Sequence, residues 1–206
     1  MLEATLMVLA KEPLPGRAKT RLCPPCDPEQ AARLATAALR DTLEVVARTP
    51  ARRRVLVFAG DGERWCPPGF ALIVQRGDGL AERLAAAFED VSQPALLVGM
   101  DTPQLTAALL SDGLGALSRP GVDAVLGPAL DGGYWSVGLK RAQPGVFDGV
   151  PMSRPDTCAV QRRRLRQLGL RVHEQPRLRD VDTMSDARLV AHDAPGSHLA
   201  AALASL

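Results

Sequence analysis

Short apolar runs rich in Val, Leu and Ala alternate along this chain with longer segments of helical period. Buried strands alternating with amphipathic helices build βαβ units, so the pattern calls for an α/β fold around a mainly parallel sheet. The strands are expected at Thr5–Ala10, Arg54–Ala59, Ala71–Gln75, Ala95–Met100, Ala124–Gly127, Tyr134–Leu139 and Arg171–Glu174. A helix is expected from Pro28 to Arg48, where Leu39, Leu43 and Val46 share one stripe, Asp27 caps and Pro28 suits the first turn. Further helices are expected from near Gly79, from Pro103 through Leu117, and between Asp156 and Leu168. Thr183-Met-Ser-Asp186 has capping-box spacing for a last short helix. Without repeats or long linkers, one domain over 1–192 with a tail or short helix over 193–206 is the working division.

The aromatic fraction is only 3%, so Leu, Val and Ala must form the core. A net charge of +2 disfavours a dedicated nucleic-acid binder. Arg52–Arg54 and Arg162–Arg164 read as solvated element ends. No run approaches the roughly 18 apolar residues that cross a bilayer. Ala4–Ala10 follows Glu3 rather than a basic region, so it reads as a strand and not a signal peptide, and a cytoplasmic location without membrane partners is expected. Cys23-Pro-Pro-Cys26 has redox or zinc spacing, but Cys66 and Cys158 stand alone and the histidines are distant; ordinary loop cysteines are the favoured reading.

The loop after the first strand, Ala10-Lys-Glu-Pro-Leu-Pro-Gly-Arg-Ala-Lys-Thr-Arg-Leu22, is where an α/β sheet binds ligands. It carries Lys11, Arg17, Lys19 and Arg21, and holds two of the chain's three lysines. Gly16 allows close backbone approach while Pro13 and Pro15 stiffen the loop, which suits phosphate better than flexible charges do. It is neither a Walker A loop nor a dinucleotide fingerprint, and a solvated surface loop is the alternative. A buried strand then ends in Asp101-Thr-Pro, placing a carboxylate at the crevice, where Mg²⁺ or Mn²⁺ takes one or two protein oxygens and completes its shell with substrate phosphates. Helix capping is the competing role for Asp101. Asp131-Gly132-Gly133-Tyr134-Trp135 reads either as a hairpin turn or as the wall of an acceptor pocket. Asp182, in Asp180-Val-Asp-Thr-Met-Ser-Asp186, stands as a second metal ligand or as part of a cap.

Taken together, K-E-P-L-P-G-R-A-K-T-R-L, Q-R-G-D-G-L-A-E-R-L from Gln75, G-M-D-T-P-Q-L, G-P-A-L-D-G-G-Y-W-S-V-G-L and D-V-D-T-M-S-D resemble the glycosyltransferase-like family called radical-SAM/selenodomain-associated transferase 1. That family is similar to the 2-phospholactate guanylyltransferases and to the nucleotide-diphospho-sugar transferase (GT-A) fold, a single-domain Rossmann-like α/β/α sandwich with a mainly parallel mixed sheet. The resemblance runs from about Thr5 to Leu189. It implies that Ala10, Lys11, Gly16, Lys19 and Arg21 hold a diphosphate, with Gln75, Gly77 and Arg83 near the nucleotide. It further implies Asp101 on a Mg²⁺ or Mn²⁺ ion, which Asp182 could also reach, and Gly132, Gly133, Tyr134, Trp135 and Ser153 on the acceptor side. Asp101, Asp131 and Lys19 would do the chemistry, Asp131 as base. Asp101 is followed by Thr102 and Pro103 instead of completing an Asp-x-Asp pair, and Met152 stands where the family pattern leads one to expect an aromatic. The implied activity is metal-assisted glycosyl transfer from a nucleotide sugar to a small-molecule acceptor. The alternatives are nucleotidyl transfer with release of pyrophosphate, and a nucleotide-binding or partner-binding module without turnover.

Overall fold

The computed structural model of the chain describes residues 4–91 and 94–206, so Glu3 lies outside the described residues. Among the described residues, seven strands and six helices follow one another as β1 (Thr5–Lys11), α1 (Pro28–Arg48), β2 (Arg53–Ala59), β3 (Phe70–Val74), α2 (Leu80–Glu89), β4 (Ala95–Gly99), α3 (Ala107–Ser118), β5 (Ala124–Pro128), β6 (Tyr134–Leu139), α4 (Thr157–Gln167), β7 (Val172–Glu174), α5 (Met184–Asp193) and α6 (His198–Ala204). A short 3₁₀ turn at Thr20–Leu22 sits between β1 and α1. The strands form one mixed sheet in the order β3-β2-β1-β4-β6-β5-β7. Only β6 runs antiparallel to its neighbours, β4 and β5; the other pairings are parallel. A parallel sheet of this kind is covered on both faces. Along β1, Leu6 and Val8 join the core under α1 and α3, while Met7 between them joins the core under α2 and α4. Full burial of each such side chain is worth about 1.5–3 kcal/mol.

Local signals decide the helix ends. Asp27 accepts from the Gln30 N–H at 2.7 Å while Gln30 Oε1 accepts from the Asp27 N–H at 2.8 Å, a reciprocal cap for α1. At α2 the capping position is Gly79, which has no side chain to offer. Glu82 reaches back instead, accepting from the N–H groups of Asp78 and Gly79. The third helix begins at Ala107, later than the proline suggested. Pro103 lies in a turn closed by Leu105 N–H on the Thr102 carbonyl at 3.1 Å, and Thr106 is the cap, accepting from Leu109 N–H.

The C-terminal helices pack around the outside of α1. A third apolar cluster joins Leu22 of the loop after β1, Leu34 of α1, Val181, Val190 of α5 and Leu199 of α6. Asp41 of α1 accepts from the first N–H groups of α6, at His198 (2.7 Å) and Leu199 (3.0 Å). Among the described residues, no helix is long and apolar enough to cross a membrane. The arginine clusters bond to their own chain: Arg54 donates to the last carbonyls of α1, Val46 and Thr49. Arg162 pairs with Glu174, and Arg164 donates to the Gly145 carbonyl.

Candidate functional site

The strand order reverses between β1 and β4, and the crevice beyond the carboxyl ends of the strands at such a reversal is the usual ligand site of these sheets. Here a cleft of about 640 Å³ occupies that place. One wall carries Lys11, Arg17, Lys19 and Arg21, with Arg83 nearby. Asp101, Asp131, Asp180 and Asp182 line the same cleft.

Lys19 is the hinge between the two sets. It adopts a left-handed backbone (φ 50°, ψ 39°) at the start of the 3₁₀ turn, a rare conformation for a residue with a side chain. Its ammonium lies 3.0 Å from Asp101 Oδ1 and 3.3 Å from Asp182 Oδ1, and its side chain is only 8% exposed. Burial alone would drive the ammonium toward neutrality, but Asp101 and Asp182 outweigh it and raise the Lys19 pKa above its ordinary value. Arg21 holds the other oxygen of Asp182 from the solvent side at 3.2 Å.

The acidic loop arrives by docking on the β4 exit. Val181 N–H donates to the Asp101 carbonyl at 3.0 Å, and Gln104 Nε2 donates to the Arg179 carbonyl at 2.7 Å. The buried Thr102 hydroxyl donates to Asp180 Oδ1 at 3.1 Å. The Asp180 carboxyl is pushed up to about 7, first by burial and then by the Asp101 and Asp131 carboxylates, against the Thr102 hydroxyl and Lys19.

The remaining residues singled out from the sequence fall into three groups. Ala10 and Gln75 line the cleft, but the Gln75 amide is spent on the Ala10 and Val57 carbonyls, tying β3 to the end of β1. Gly16, Gly77 and Gly132 are not among the residues that line the cleft. Gly132, at φ +92°, has the Pro155 backbone where a Cβ would go. Asp131 Oδ1 accepts from Gly133 N–H at 2.8 Å, so the Asp-Gly-Gly segment is a tight turn that also presents its carboxylate to the cleft. Period-two alternation splits the aromatic pair across the sheet. The Trp135 indole, 2% exposed, packs in the core with its N–H on the Pro176 carbonyl at 3.0 Å, while Trp135, like Gly133 and Tyr134, also borders the cleft. Tyr134 turns to the other face, donates to Gln161 Oε1 at 3.4 Å, and packs against Met152 at the position where an aromatic was expected. Burial pushes its phenol far above the usual range. Ser153 lines the cleft in a left-handed conformation (φ 58°) beside Arg154.

Thr102, Asp180 and Arg154 are cleft residues to which no role was given from the sequence. The signal for Asp180 was present. In Asp180-Val-Asp182 the central Val181 is buried and the two carboxylates point the other way, as extended backbone requires. Cys26 meets Met184 Sδ at 3.5 Å, and burial pushes its thiol up, which fits an ordinary packed cysteine.

Among the described residues, no group of three or more His, Cys, Asp or Glu stands ready to hold a metal ion. The donor set nonetheless fits a hard divalent cation. Asp101 and Asp182 come from two separate loops, and one oxygen of each already reaches a single cation, the Lys19 ammonium.

A family model described as "Uncharacterized protein conserved in bacteria (DUF2064)" matches residues 33–154, more than half of the chain. The chain belongs to the DUF2064 family. The match takes in Gln75, Asp101 and the Asp131–Trp135 segment of the cleft. No curated protein sequence matches this DUF2064 chain. Among solved structures, one from Desulfovibrio desulfuricans G20, named a "putative nucleotide-diphospho-sugar transferase", superposes with a TM-score of 0.87 at 28% identity, over 98% of this chain and 95% of that one. Rv0371c from Mycobacterium tuberculosis H37Rv in complex with manganese gives 0.56 at 19% identity over 92% and 98%. CMP:2-keto-3-deoxy-manno-octonic acid synthetase complexed with CTP gives 0.60 at 13% over 94% and 99%. The fold of this DUF2064 protein is that of the nucleotide-diphospho-sugar transferases, in one mixed α/β layer system.

Proposed function

We propose that this DUF2064 protein is a transferase acting on a nucleoside-diphosphate-type substrate, and that it moves a sugar from a nucleotide-sugar donor to a small-molecule acceptor. One observation carries the reading: the cations of the loop after β1 and the carboxylates Asp101 and Asp182 line a single cleft, with Lys19 3.0 Å from Asp101. A pyrophosphate needs both halves, cations for its own oxygens and carboxylates for the divalent ion that accompanies it. The likeness to the Desulfovibrio structure, by name a nucleotide-sugar enzyme, supports the donor class.

In the proposed reaction the acceptor oxygen bonds to the anomeric carbon as that carbon's bond to the diphosphate oxygen breaks. The nucleoside diphosphate departs with the electron pair. Lys19, Arg21 and Arg17 meet the growing negative charge, the term that usually contributes most to catalysis. Asp131 takes the acceptor hydroxyl proton; the turn at Gly133 uses only one of its two oxygens. Asp101 and Asp182 would hold Mg²⁺ or Mn²⁺, which when bound supplies Lewis-acid neutralisation of the diphosphate. The manganese in the Rv0371c complex makes Mn²⁺ the first ion to try.

A second reading, nucleotidyl transfer, is favoured by the CTP complex of the octonic acid synthetase. An acceptor then attacks the α-phosphorus of a nucleoside triphosphate, and pyrophosphate leaves toward the same cations. Incubating the purified protein and Mn²⁺ with nucleoside triphosphates, nucleotide sugars and pooled acceptors separates the two. Acceptor-dependent release of nucleoside diphosphate supports sugar transfer, whereas pyrophosphate release supports nucleotidyl transfer. Nucleotide binding with neither product would remove the transferase reading.

A further inference from the structure

We infer that Lys19 is the resident counter-ion of the divalent-cation position, holding Asp101 and Asp182 together in the substrate-free protein and giving way when metal binds. The inference rests on the reading of Asp101 and Asp182 as metal ligands and goes beyond it. The ammonium contacts Oδ1 of each carboxylate, at 3.0 and 3.3 Å, which are oxygens a bridging cation would use. An ammonium and a divalent ion on the same two oxygens would stand within a few ångström of each other in a half-buried corner, where like charges repel strongly. The two therefore exclude one another.

Lys19 also has somewhere to go. Its loop and the adjoining wall present Lys11, Arg17 and Arg83 to the cleft, so a polyphosphate lying along them would draw the ammonium off the carboxylates. The left-handed backbone at Lys19 aims the side chain into the corner without help from regular structure. Arg21 keeps Asp182 Oδ2, so Asp182 stays tethered to the loop while Lys19 moves. In this arrangement metal and polyphosphate bind with positive coupling: each is weak alone, because Lys19 must leave the carboxylates before either is fully accommodated.

The chain has only three lysines, which makes the inference measurable on the wild-type protein. Reductive methylation followed by peptide mass spectrometry reads Lys19 against Lys11 and Lys140, while electron paramagnetic resonance of free Mn²⁺ reads metal occupancy. Lys19 is expected to react slowly without metal and about fivefold or more faster at Mn²⁺ saturation. Lys19→Met is expected to bind Mn²⁺ alone about tenfold more tightly than the wild type, and Lys19→Arg, which retains the charge, to show no gain. The inference is overturned if Lys19 reactivity stays constant as Mn²⁺ saturates, or if a folded Lys19→Met binds Mn²⁺ no better. Mn²⁺ binding that is lost in Asp101→Asn, together with unchanged Lys19 reactivity, keeps the metal reading and removes only the role of Lys19. No Mn²⁺ binding by any of these proteins removes both. If Lys19→Met does not fold, the labelling of the wild-type protein decides.

Discussion

Val181 donates its backbone N–H to the carbonyl of Asp101 at 3.0 Å, and this bond sets the two halves of the acidic corner against each other. Asp101 lies two residues beyond the central strand β4, whereas Asp180 and Asp182 flank Val181 near the other end of the chain. Buried Val181 anchors that loop in the cluster with Leu22 and Leu34, so the carboxylates and the Lys19 loop are positioned by one apolar contact set.

Asp101 is the first residue to test. Its side chain is 40% exposed, and Lys19 keeps Asp182 as a partner without it. Asp101→Asn is therefore expected to leave thermal unfolding nearly unchanged while lowering kcat about 100-fold or more. A variant with wild-type turnover would take Asp101 out of the machinery.

Thr102 holds Asp180 from below. Thr102→Val keeps the shape of the side chain but leaves a buried carboxyl oxygen without the hydroxyl it accepts from. Urea denaturation should show a loss of about 1–3 kcal/mol. A loss near zero would mean that Thr102 does not hold Asp180 in solution.

Gly132 is set by close approach rather than by flexibility. Gly132→Ala requires a side chain at φ +92° and drives a Cβ into the Pro155 backbone. The expected cost is above about 3 kcal/mol, visible as loss of soluble protein or a large drop in Tm. Gly16→Ala, at φ +71° but with open space around the new methyl, should cost less, on the order of 1 kcal/mol.

Asp186 gives a pH-dependent test. Burial alone would raise its carboxyl, but the Thr183 hydroxyl, the Arg179 guanidinium and the Thr183 N–H hold it below the ordinary 3.8. Its folded value is thus depressed, so its stabilising contribution is complete above 3.8 and disappears as pH falls through the lower folded value. At pH 7 Asp186→Ala should destabilise the protein by about 1–2 kcal/mol, through the lost cap of α5 and the lost ion pair. The gap between variant and wild-type melting curves should narrow steadily below about pH 4. An equal gap at both ends would place the effect in contacts that do not titrate.

The local chemistry of the chain was legible without coordinates. Asp27 and Pro28 mark the start of α1, Thr183 and Asp186 mark that of α5, and the apolar strand cores are readable because capping and side-chain period are properties of neighbouring residues. The cation-rich loop after β1 was legible for the same reason. At Pro103 the local signal misled, since a proline suits a turn before a helix as well as the helix itself, and only the bond from Leu109 N–H to Thr106 distinguishes the two.

What neighbouring residues could not decide was which distant segments meet. Strand order put β6 antiparallel between β4 and β5, and its alternation sent Trp135 into the core and Tyr134 toward Gln161. Docking of Val181 carried Asp182 across 163 residues to Lys19 and brought Asp180 under Thr102. Sequence alone settled which residues carry charge, which runs form apolar strands and where α1 and α5 are capped, because those follow from side-chain chemistry and spacing. Their convergence on one cleft belonged to the tertiary structure, because it depends on apolar burial and hydrogen bonds between segments that no local period links.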